Sequence, residues 1–304
     1  MEGVMINRRL TRRDFIKTTT AIAGTTIIGL AESASSAQTK RTAVDMVSLG
    51  RTGLKTSRLG FGTGSNSGNV QYNLGKERFI DLIHYAYDKG IRYLDCAQAY
   101  RTFGWIGDAI KGLPRENLFI LSKVPGKPEN ILEVIDNHRK IFNTDYIDAL
   151  LIHCMVKDNW TDDYKRIMDG FNEAKEKKWI RAKGVSCHSL PALHAATVSP
   201  WTEIHLVRIN PQAKHVDGPE QTWDKPGNKI EPVLEEIKQM KAKGRGVLGM
   251  KIIGNGDFTN PEDREKSIRF AMTCKEVDAI TIGFKSREEI DEAIERMNRA
   301  LAEL

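Results

Sequence analysis

Asp95, Tyr100, Lys123 and His153 are residues whose types and spacing could do chemistry together. Asp95, Lys123 and His153 each close a short aliphatic run, over 91–95, 117–123 and 146–153, and Tyr100 follows Asp95 in the connection after the first of these. Such a set can protonate a carbonyl oxygen. A tyrosine has an unperturbed pKa near 10, and an adjacent ammonium lowers it toward working pH. Asp95 would hold the Lys123 ammonium charged and in place, while His153 orients the carbonyl or shares the proton. Taken singly, each residue has an ordinary explanation: a charge at a strand end is usually a solvated rim group, and a loop tyrosine usually packs. Only their joint position argues for a site.

That position depends on the elements that carry them. Strand-like runs recur at 59–63, 91–95, 117–123, 146–153, 182–187, 203–209, 246–251 and 277–283. Segments of helical period separate them. Ile131, Leu132, Ile135, His138 and Phe142 fall on one helix face, as do Ile230, Val233, Leu234, Ile237 and Met240. A final stripe joins Ile290, Ala293, Ile294, Met297, Ala300, Leu301 and Leu304. Ahead of the first buried strand, Gly50-Arg51-Thr52-Gly53 suits a tight hairpin turn. Eight strands alternating with helices, without a linker, predict an α/β fold: a closed parallel eight-stranded barrel with an N-terminal β-hairpin. A doubly wound open sheet is the competitor, but no G-x-G-x-x-G follows any of these strands. In a barrel, chemistry gathers at the C-terminal ends of the strands.

Composition narrows the class. At 304 residues, 40% hydrophobic and 28% charged, the chain reads as globular, and one α/β barrel of roughly 250 residues accounts for most of it. No run reaches the roughly 18 apolar residues of a membrane span, so no stable membrane insertion is expected. The net charge of +6 is not concentrated: 1–37 hold five Lys and Arg against three acids, leaving 41 against 37 beyond them. No basic stripe with interleaved aromatics occurs, which argues against nucleic acid.

The first 37 residues read as an address. Thr11-Arg12-Arg13-Asp14-Phe15-Ile16-Lys17 matches a twin-arginine export signal, followed by a mildly apolar run and the small residues Ser33-Ala34-Ser35-Ser36-Ala37. We therefore expect a signal peptide over 1–37, a linker over 38–45 and the barrel over 46–304, with the export machinery as a partner and the periplasm as the destination. Cys96, Cys154, Cys187 and Cys274 form no CxxC pair, so buried thiols are expected, and no metal site.

Beyond this, Gly50-Arg51-Thr52-Gly53-Leu54 with Leu59-Gly60-Phe61-Gly62-Thr63, Gly90-Ile91-Arg92-Tyr93-Leu94-Asp95 with Tyr100, Ser122-Lys123-Val124, Tyr146-Ile147-Asp148 with Ile152-His153, and Gly184-Val185-Ser186 resemble the aldo/keto reductase family over about 46–304. The resemblance implies an NADP-dependent oxidoreductase of small carbonyl or sugar-like compounds, NADP being preferred to NAD. It makes Tyr100 the general acid, Lys123 its partner, Asp95 the partner of Lys123, and His153 the residue that orients substrate. Ser186 would bind the nicotinamide carboxamide. Cys187, Leu206 and Met250 stand where the family usually has Asn, Gln and a stacking Tyr. Two loops suit phosphate: Lys251 with Gly254-Asn255-Gly256, and Gly283-Phe284-Lys285-Ser286-Arg287 at the start of the last helix. Lys285, Ser286 and Arg287 are candidates for the 2′-phosphate, and Glu289 and Glu292 for adenosine. The long polar stretch 211–228 is a candidate lid. Two other readings remain open. One is a non-redox lyase or isomerase using Tyr100 and Lys123 for proton transfer, and the other is a cofactor-sensing protein without turnover.

Overall fold

Alternation along each strand decides which side chains enter the barrel and which face the helices, because successive residues point to opposite faces. A computed structural model describes residues 40–304 except 224; the expected export signal over 1–37 lies outside the described residues. A hairpin of β1 (Met46–Ser48) and β2 (Lys55–Ser57) comes first. Eight parallel strands follow: β3 (Leu59–Gly62), β4 (Tyr93–Asp95), β5 (Phe119–Val124), β6 (Ile147–Met155), β7 (Ile180–Cys187), β8 (Ile204–Arg208), β9 (Gly246–Met250) and β10 (Ala279–Gly283). They close in sequence order, β10 pairing with β3 through Ile280↔Leu59 to Gly283↔Gly62. The predicted closed barrel with its hairpin is the observed fold.

Inside, Tyr93, Leu121, Leu151, Leu206 and Leu248 fill the lower barrel, and Leu49 and Leu54 of the hairpin plug its base. Two residues further along the same strands come Asp95, Lys123, His153, Arg208 and Met250. Apart from Met250 the uppermost layer of the interior is therefore polar, and it opens at the C-terminal rim. The outward rows pack against helices such as Lys76–Asp88, Ile131–Phe142 and Arg287–Ala302. Their starts are set by local chemistry: the side chains of Asn130, Ser189, Asn260 and Ser286 accept backbone N–H bonds in the first turns that follow them.

Four details differ from the sequence expectations. β6 runs past His153 to Met155, through a register shift with Cys154 in the left-handed region (φ +63°), because the bulge re-aims the strand end beside the site. The last helix ends at Ala302, leaving Leu304 exposed, since nothing beyond the helix covers it. All four thiols are free, but only Cys96 and Cys187 are buried. Packing also begins before Met46: Ala43 is buried, its N–H bonding Asn298 Oδ1 and its carbonyl accepting from Leu59. Among the described residues no helix is long and apolar enough to cross a membrane. None of them forms a group of three or more His, Cys, Asp or Glu that could hold a metal.

Candidate active site

Tyr100 reaches the rim by a turn that the strand ends define. Cys96 N–H bonds Leu121 O, Gln98 N–H bonds Lys123 O, and Tyr100 N–H bonds Ala97 O at 3.0 Å, which folds the chain back over β5. Asp95 is held from the other side, its carbonyl accepting from both the N–H and the hydroxyl of Thr63 at 3.0 Å. The Lys123 ammonium sits between these groups. It is ion-paired with Asp95, donates to Cys96 O at 2.8 Å, and lies 3.4 Å from the Tyr100 phenol oxygen. His153 meets the Tyr100 ring edge to face, with centroids 5.6 Å apart. The four residues read from the sequence are thus brought together.

Their electrostatics differ from the first expectation in one respect. Burial pushes the Tyr100 phenol up to about 12, and the nearby Lys123 charge offsets only part of that rise. The phenol is therefore protonated at neutral pH and able to donate. Burial alone would lower the Lys123 ammonium, but Asp95 and Tyr100 raise it above the usual lysine range. Burial, helped by Lys123 and Lys251, pushes His153 down to about 3, so its imidazole is neutral and serves as a hydrogen-bonding group.

From Tyr100 a groove runs along the ends of β3, β9 and β10. Its inner part is lined by Gly62, Gly64, Asp95, Tyr100, Met250 and Lys251. Ser65, Asn255 and Gly283 belong to this part and to the outer part, where Arg264, Lys285, Glu289 and Glu292 lie. Ser286 does not line the groove, and its hydroxyl caps the last helix by accepting from Glu289 N–H. Arg287 is drawn away from the groove by Asp81, 2.6 Å from its guanidinium, and by the Tyr85 ring. Glu289 accepts from Lys285 N–H, and Glu292 is engaged by Arg264 and Arg296.

Sequence reasoning passed over several groups here. Arg208 continues the inward row above Leu206 and pairs with Asp217 at 2.6 Å, both nearly fully buried. Burial pushes Asp217 up to about 6 against the pull of Arg208. Arg208 also donates to His188 O, and His188 Nε2 lies 3.6 Å from Cys154 Sγ. The signal for Arg208 was available, since it lies two residues beyond an inward leucine. Gly64 was passed over too, although it admits the Tyr100 ring. Within the stretch 211–228, His215, Asp217 and Gly218 are pinned. Arg208 holds Asp217, Leu190 N–H bonds Gly218 O, and His215 reaches Asp257 across the groove at 2.9 Å.

A family model described as "Aldo/keto reductase family" matches residues 58–300. The chain belongs to the aldo/keto reductase family. It is 26% identical over 241 residues to 2,5-diketo-D-gluconic acid reductase B of a Corynebacterium species, covering 69% of this chain and 86% of that protein. It is 34% identical over 196 residues to glycerol 2-dehydrogenase (NADP(+)) of Hypocrea jecorina, covering 55% and 58% respectively. Among solved structures, an aldo-keto reductase from Bacillus halodurans in its holo form superposes with a TM-score of 0.67 at 17% identity, covering 86% of this chain and 96% of that one. That last likeness is one of fold. Membership carries the coarse function: an oxidoreductase of carbonyl compounds that works with a nicotinamide cofactor.

The residues present fit such a cofactor. The groove ends at the Tyr100 phenol and carries cations at its outer end. Thr281 Oγ1, in the lining of the inner groove, is a buried polar atom without a partner, so it can accept or donate a bond to a bound molecule; Ser186 Oγ is likewise without a partner but is not part of that lining. Met250 and Lys285, which line the groove, would help to hold such a cofactor, whereas Ser186, expected to meet its carboxamide, stands outside the lining. Cys187 and Leu206 are both buried and offer no amide.

Proposed function

We propose that this chain reduces a small polar carbonyl compound with NADPH, Tyr100 acting as general acid. One observation supports it above the others: a protonated phenol at the inner end of the groove, backed by the Lys123–Asp95 pair. A bound reduced nicotinamide supplies the hydride. Neutral His153 donates a hydrogen bond to the carbonyl oxygen and fixes its direction. Tyr100 gives its proton to that oxygen, and the Lys123 ammonium stabilises the phenolate left behind, which is the state a buried phenol otherwise resists. Asp95 keeps Lys123 in place. NADP rather than NAD is favoured by Lys285 at the outer end, and a relative carries NADP in its name. The polar rim suits a hydroxylated, sugar-like substrate, in keeping with the diketo-gluconic acid and glycerol named for two relatives.

Tyr100→Phe tests the reading. Carbonyl reduction should fall by about 10²–10⁴-fold while NADPH still binds. Wild-type turnover by this variant would remove Tyr100 as the acid. The non-redox reading draws on Cys187 and Leu206, which leave the nicotinamide amide with fewer partners. A compound converted without oxidation of NADPH, and no longer converted by Tyr100→Phe, would establish that reading instead.

A further inference from the structure

Lys123, Arg208 and Lys251 stand at the mouth of the barrel, and the first two are neutralised from within. Asp95 pairs with Lys123, and Asp217 pairs with Arg208. Lys251 is different. Among the described residues no carboxylate lies within 4.0 Å of its ammonium, which donates to the neutral amide oxygen of Asn255 at 2.8 Å. The residue is also costly to place. Its backbone sits in the left-handed region (φ +62°), where glycine is the easy choice, and it is fixed there by Asn210 Nδ2 and Gly254 N–H, which both donate to its carbonyl. A strained, half-buried lysine without a counter-charge points to a ligand that brings the charge.

The sequence suits its loop to phosphate, but its location points to another part of a ligand. Lys251 lines the inner groove with Tyr100 and Asp95, and it is absent from the outer part, which has its own cations in Arg264 and Lys285. Its charge is felt by His153, Cys154 and His188 around the reacting end. We propose that Lys251 binds a carboxylate carried by the carbonyl substrate, making oxo acids the preferred substrate class. The proposal rests on the carbonyl-reductase reading above and narrows it. Burial, then Arg208, holds the ammonium down to about 8, so an incoming anion strengthens the charged form.

The probe is succinate semialdehyde paired with its uncharged methyl ester, assayed with NADPH. In wild type the acid should exceed the ester in kcat/KM by about tenfold to a hundredfold, as a charge-assisted bond in a half-buried groove implies. In Lys251→Met that ratio should collapse to near one, and in Lys251→Arg part of it should return. Calorimetric binding of the acid to wild type and Lys251→Met, read without turnover, separates the two layers of the argument. Acid binding that needs Lys251 but no oxidation of NADPH would remove the reductase reading and leave the anion site. Oxidation of NADPH with equal use of acid and ester would overturn the anion site and leave the reductase. A loss in Lys251→Met that falls on NADPH affinity, with the acid-to-ester ratio kept, would assign Lys251 to the cofactor phosphates and overturn the proposal.

Discussion

The Tyr100 ring occupies space that a β-carbon on Gly64 would need: that carbon would stand 2.3 Å from Tyr100 Cζ and 2.6 Å from its phenol oxygen. Both ring and backbone are held by the strand ends, so neither yields freely. Gly64→Ala should therefore move the acid rather than the fold. We expect kcat to fall by roughly tenfold to a hundredfold, as for an ångström-scale misplacement of a reacting group, with thermal stability close to wild type. Steady-state kinetics beside a melting curve checks this, and unchanged kcat would show that the ring has room to shift.

The Lys123–Asp95 pair is buried on both sides. Removing one partner leaves a charge without compensation, whereas removing both does not. Asp95→Ala should cost about 3–5 kcal/mol of stability, and Asp95→Ala with Lys123→Met should recover much of it. Both variants should be inactive. Urea denaturation of the four proteins closes the cycle, and additive losses would mean that the pair is not coupled.

Burial lowers His138, His153 and His205 each to about 3. Their unfolded pKa is about 6.5, so the unfolded chain binds protons first and stability falls as pH drops from about 6.5 toward 3. At pH 5 each buried histidine should cost on the order of 2 kcal/mol relative to neutral pH. His138→Phe and His205→Phe, both away from the groove, should flatten the stability–pH slope below 6.5. Unfolding measured at several pH values tests this; an unchanged slope would mean these rings protonate in the folded state.

At the outer groove Lys285 is exposed and only loosely paired with Glu289, at 3.5 Å, so it can turn to a 2′-phosphate. Lys285→Ala should weaken NADP binding by about tenfold and leave NAD nearly untouched. Arg287→Ala should do little to either, because Asp81 already engages that guanidinium. Fluorescence titration with both nucleotides reads the difference, and equal losses for NADP and NAD in Lys285→Ala would place the phosphate elsewhere.

Local pattern alone determined the barrel: the periods of strand and helix and the hairpin glycines are written in short stretches, so the eight strands and the ends that carry Asp95, Lys123 and His153 were legible. Tyr100 was legible too, because it follows closely on the strand end that carries Asp95. The sequence could not show what depends on distance across the mouth. Arg208 and Asp217 are a buried pair only because β8 and a long connection meet there. Arg287 leaves the groove only because Asp81 lies beside it on a helix some two hundred residues earlier. The Tyr100 phenol rises rather than falls because burial, a property of the packed whole, outweighs the neighbouring ammonium that the sequence suggested. Periodicity fixes which face a side chain takes, whereas counter-charges and desolvation are decided by residues far apart in the chain, and those meet only in the closed barrel.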